Sequence, residues 1–109
     1  MLRLVVNGEA VYEYRDQSRL PGHVRDLLAH MDADMDDGFP LAGQLVEQPD
    51  ERQRTCFMAL QLFRSCARGD ERLRAASSAW LCRHAPDLRE VKIEESEEEF
   101  SLELIVENQ

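Results

Sequence analysis

The residues best equipped for chemistry sit in one short run, His30-Met31-Asp32-Ala33-Asp34-Met35-Asp36-Asp37-Gly38. On a helix His30 and Asp34 share a face at i, i+4, with Asp37 following one turn later, and such a set can hold a divalent transition metal at the surface. His30, Asp32, Asp34, Asp36 and Asp37 are therefore the candidate metal ligands. A calcium loop fits less well. Counting from Asp32, the sixth position is Asp37 where the turn needs Gly, and the twelfth is Gly43 where the ion needs a bidentate Glu. Acids gathered at the C-terminal end of a helix also oppose its dipole, so either a cation or a solvated loop has to account for them.

Nucleophilic chemistry is less well served. Cys82 and His84 are the closest thiol and imidazole in the sequence, but residues two apart on a helix point about 200° away from each other. His84 is read as a half-buried residue packing along the Trp80 stripe. Ser77 and Ser78 lack a G-x-S-x-G setting, and no G-x-G-x-x-G or P-loop occurs. No catalytic residue and no cofactor is expected.

Charge forms two blocks within a net −9. Residues 90–109 hold eight Glu against one Lys, whereas residues 52–89 hold eight Arg against three acids. Arg64, Arg68 and Arg72 on one side, and Glu97, Glu98 and Glu99 on the other, make an interaction surface in which the basic helices and the acidic turn complement each other, within one subunit or across a dimer. Arg outnumbers Lys twelve to one, a bias that reads as genome-wide composition, and the overall negative charge argues against a polyanion such as nucleic acid as partner. The EESEEE run has a rival reading as an acidic mimic that occupies a nucleic-acid-binding protein.

The elements that position these groups follow from periodicity. LRLVV and AVYEY flank Asn7-Gly8, whose tolerance of positive φ suits a type I′ hairpin. After Pro21-Gly22, Val24, Leu27, Leu28, Met31 and Met35 mark an amphipathic helix that Gly38 and Pro40 end. Residues 39–50 read as a loop with a helical turn at 41–47. A helix from Pro49-Asp50-Glu51 carries Cys56, Phe57, Ala59, Leu60, Leu62, Phe63, Cys66 and Ala67 and should be the central one. Gly69 and Asp70 close it and open the next, whose stripe is Leu73, Ala76, Ser77, Trp80, Leu81 and His84. Period two returns at the end, with Val91 and Ile93 on one side and Phe100, Leu102, Leu104 and Val106 on another.

The expectation is one α+β domain spanning residues 1–109: a four-stranded antiparallel sheet of two hairpins, order ββ-ααα-ββ, with three helices packed on one face. Three cysteines without CxxC spacing suggest free thiols in a reducing, cytoplasmic setting. The opening residues turn polar at Asn7, so export is not expected, nor is a membrane span. The function expected is a non-enzymatic interaction or regulatory module acting as a homodimer through a sheet edge or the Arg-bearing helical face. The alternative is a metal-binding or metal-sensing protein using the 30–37 cluster, and a third is a small-ligand pocket near Trp80.

Overall fold

The computed structural model describes residues 2–15, 22–41 and 44–107. Strands β1 (Leu2–Val6) and β2 (Glu9–Tyr14) are followed by α1 (Gly22–Asp36), then by the short strands β3 (Phe39–Leu41) and β4 (Gln44–Val46). Helices α2 (Glu51–Arg68) and α3 (Glu71–His84) lead into β5 (Leu88–Glu95) and β6 (Phe100–Val106). The fold is mixed α+β, a four-stranded sheet of order β2-β1-β5-β6 with three helices over one face.

The first turn follows from its residue types. Asn7 and Gly8 both sit at positive φ, 51° and 81°, the backbone a tight I′ connection demands. Asn7 then does more than turn the chain. Its amide donates to the Ile93 carbonyl at 2.8 Å and its side-chain oxygen accepts from the Glu95 amide at 2.8 Å, tying the first hairpin to β5.

One pairing departs from the antiparallel expectation: the two hairpins join through β1 and β5, which run parallel, Leu4 opposite Val91 and Val6 opposite Ile93. Both strands are central and buried toward the helices, which suits a parallel pair. Leu2, Leu4, Val91 and Ile93 are each at most 2% exposed. Val91 faces Leu104 and Ile93 faces Leu102, so the apolar residues of β5 and β6 share the helix side of the sheet. The opposite face carries Arg3, Glu13, Glu90, Lys92 and Glu103, with ion pairs Arg3–Glu13 and Lys92–Glu94.

Phe39–Leu41 and Gln44–Val46 pair antiparallel, Phe39 opposite Val46, in place of the expected loop with a helical turn at 41–47, of which residues 42 and 43 lie outside the described residues. Phe39 is 4% exposed and stacks on Phe57 of α2 with ring centroids 4.3 Å apart. That aromatic contact, which local propensity does not encode, pins the segment in extended form.

Helix ends follow the sequence signals. Asp50 caps α2 through a reciprocal box with Gln53, 2.8 and 2.9 Å, Gly69 takes φ 71° at the other end, and Asp70 accepts from the Leu73 amide at 3.0 Å to start α3. The central helix, however, is α3 and not the expected α2. Every residue from Ala76 to Leu81 is buried, whereas α2 buries the single stripe Thr55, Met58, Ala59, Leu62 and Ser65. The reason is size. Ala75, Ala76, Ser77, Ser78 and Ala79 let neighbours approach α3 from all sides, which bulky residues would prevent.

One of these small residues is imperfectly served. Ser78 is fully buried, and its hydroxyl has no hydrogen-bond partner, while Ser77 Oγ donates to the Leu73 carbonyl at 2.7 Å. A Ser78→Ala variant is expected to be more stable by about 1 kcal/mol, read from urea unfolding, because it removes an unpaired polar group and improves helix propensity.

Candidate functional site

The acids of α1 serve packing contacts. Asp32 accepts from Trp80 Nε1 at 2.7 Å, which satisfies the indole of a residue only 2% exposed. Asp36 pairs with Arg54 at 2.8 Å, linking the end of α1 to the first turn of α2. These two contacts account for half of the misplaced charge, since Asp32 and Asp36 each meet a donor from a neighbouring helix. His30 Nδ1 lies 2.8 Å from the Asp26 carbonyl within its own helix, and Asp34 and Asp37 are exposed. The five residues therefore do not converge. Among the described residues no group of three or more His, Cys, Asp or Glu is placed to hold a metal ion.

Trp80 is a packing residue with a polar handle. His84 stacks on it at 4.3 Å between centroids, with 17° between the planes, as the shared stripe implied, and His84 Nδ1 lies 3.7 Å from Glu51. Asp32, Trp80, His84 and Glu51 thus link α1, α3 and α2.

Cys56, Cys66 and Cys82 form no disulfide with one another and are partly buried. Burial pushes the Cys56 thiol up, against a smaller opposing pull from Arg52. Burial likewise pushes Cys66 up and outweighs Ser65 and Arg74 beside it. Neither environment favours a thiolate nucleophile.

Several hollows mark the surface. One of about 530 Å³ lies between β2 and the starts of α1 and α3, lined by Tyr12, Tyr14, His23, Arg72 and Arg74 among others. Two of its three arginines are engaged. Arg72 donates to the His23 carbonyl at 3.1 Å, and Arg74 stands 5.0 Å over the Tyr12 ring and 4.0 Å from Glu71. A smaller hollow, about 210 Å³, is apolar and lined by Leu4, Val6, Val11, Phe63, Cys66 and Ala67.

One ring contact relates this second hollow to the two charge blocks. Phe63 of α2 contacts Phe100, 5.9 Å between centroids, and Phe100 directly follows Glu97–Glu99 while Arg64 and Arg68 flank Phe63 and Ala67 on α2. Arg64, Arg68, Glu97, Glu98 and Glu99 are all exposed. Among the described residues no ion pair joins them to each other or to any other group. Arg72 stands apart from this set, held on α1. Val11 on β2 and Phe100 on β6, the two outer strands of the sheet, remain 50% and 49% exposed. Periodicity had no means of finding this hollow, because its walls come from three separate elements.

No family model, no curated protein and no solved structure matches this chain.

Proposed function

We propose that this chain is a non-enzymatic protein-interaction module that works as a homodimer in the cytoplasm, with the patch around Phe63 and Phe100 as its contact. One observation carries the reading: exposed charges of opposite sign stand near the Phe63–Phe100 contact, and among the described residues they form no ion pair with each other. A second copy turned by a two-fold axis sets Arg64 and Arg68 against its Glu97–Glu99, and the reverse, while Phe100 and Val11 lose water. Two of the candidate metal ligands and the imidazole nearest a thiol in sequence are engaged in packing: Asp32 with Trp80, Asp36 with Arg54 and His84 against an indole face. Three cysteines that form no disulfide with one another suit a reducing compartment, and no helix among the described residues is long and apolar enough to cross a membrane.

Sedimentation velocity tests the proposal. The expected result is a dimer at low salt that loosens in about 0.5 M salt, where charges are screened within roughly 4 Å. Replacing Arg64→Glu and Arg68→Glu together should weaken self-association at least about tenfold. Mixing that protein with a Glu97→Arg, Glu98→Arg variant should restore pairing between the two. A chain that stays monomeric at all salts and concentrations, or charge variants without effect, overturns the homodimer.

A further inference from the structure

A different surface points to a second kind of partner. Among the described residues strand β6 is an outer strand of the sheet, seven residues long, paired on one side only with β5, an edge whose outer backbone groups can take another strand. Its two faces carry different chemistry. Toward the helices lie Phe100, Leu102, Leu104 and Val106, none of them fully buried, with Val106 55% exposed. Toward the open face lie Ser101, Glu103 and Ile105, opposite Glu94, Lys92 and Glu90 of β5, with Glu99 and Glu107 in the same spacing at either end. Lys92 is 3.8 Å from Glu94, and Arg89 is paired with Glu107. Glu103 has no ion-pair partner among the described residues.

This pattern selects against a copy of itself. In an antiparallel sheet the side chains of opposed residues share a face, so β6 can pair with another β6 only in registers that keep odd positions opposite odd ones. In each register that overlaps most of the strand, Glu103 falls directly opposite or diagonal to Glu99, Glu103 or Glu107 of the copy, and like charges so placed are destabilising. The edge is therefore closed to self-pairing and open to a strand of the opposite charge.

We propose that β6 takes up an extended segment of another protein in which Lys or Arg alternates with aliphatic or aromatic residues. The basic side chains lie along Glu103 and its acidic neighbours, the apolar ones extend the row from Phe100 to Val106 over the uncovered rim of the sheet, and the main chain supplies hydrogen bonds. The surface meets the Phe63–Phe100 dimer patch at Phe100 and Glu99, but its backbone edge from Ser101 to Val106 lies outside that patch, and the proposal stands whether or not the chain self-associates.

The test uses a fluorescent nonapeptide of alternating lysine and valine, titrated by anisotropy into the full chain and into the Arg64→Glu, Arg68→Glu variant. A matched peptide carries N-methyl groups at alternate residues, keeping its charge but losing the donors of one edge. Saturable binding is expected with the first peptide for both proteins, at least about tenfold weaker with the N-methylated one, together with slowed amide hydrogen exchange confined to β6. A Glu103→Lys variant, whose altered side chain is on the open face, should bind about tenfold more weakly. Equal binding of the two peptides, unchanged exchange in β6, or loss of binding with Glu97→Gln, Glu98→Gln, Glu99→Gln but not with Glu103→Lys would overturn the proposal in favour of diffuse charge attraction. Because the dimer-weakening variant is titrated alongside, failure here is separable from failure of the homodimer.

Discussion

A Trp80→Ala variant is expected to lose about 3–5 kcal/mol of folding stability, most of what a chain of this size has to spare. Trp80 is 2% exposed at the middle of the most buried helix, so the truncation leaves a cavity that α3 cannot collapse, being hemmed in by α1 and α2. It also strands the Asp32 carboxylate, which loses the 2.7 Å bond from Nε1, and frees His84 from its stack. Urea unfolding followed by far-UV circular dichroism measures the loss. A Trp80→Phe control separates the two contributions, since it keeps most of the packing and removes the donor, and should cost about 1–3 kcal/mol. If alanine and phenylalanine cost the same, the hydrogen bond and not the ring volume dominates, contrary to expectation.

Gly38→Ala should come next, at about 2–4 kcal/mol. Gly38 sits at φ 95°, where side-chain-bearing residues are strained, and an added Cβ would meet the Val46 carbonyl oxygen at 2.6 Å and the Glu47 Cα at 3.0 Å. The partners are backbone, so no side chain can swing aside. The damage should be local: β4 moves off, Phe39 slides from Phe57, and the lost protection in hydrogen exchange centres on residues 39–46. A thermal melt within about 1 °C of the parent would show that the hairpin approaches Gly38 less closely than described.

How much of this was written in local sequence differs by element. Both long hairpins were legible, the first because Asn7-Gly8 suits only a narrow choice of turns, the second from the alternation of residues 100–106. The helix boundaries at Asp50, Gly69 and Asp70 were legible because capping is local chemistry. The parallel joining of β1 to β5 was not, since an alternating strand states which face it buries but not which partner it chooses or in which direction. Nor was the centrality of α3, because counting apolar residues favours α2, whereas a helix of Ala and Ser becomes central by being thin. The β3–β4 hairpin was hidden for a related reason: three-residue strands carry little periodic signal, and what holds them is Phe57, far along the chain. At the candidate site the two charge blocks could be read directly, but their failure to pair within the chain required coordinates. So did the partners of Asp32 and Asp36, contacts that join residues 48 and 18 positions apart.

The parallel seam has a kinetic meaning. Asn7 and the Glu95 amide that it binds are separated by 88 positions, so the middle of the sheet is assembled from opposite stretches of the chain, and its closure carries the full entropy cost of a long loop. Helices and hairpins can flicker into being early, each on its own, but none has a lasting floor to rest on until that seam zips. Commitment to the native state is thereby delayed to one late, all-or-none event, and while it is pending the apolar sides of both ribbons stay open to unwanted company.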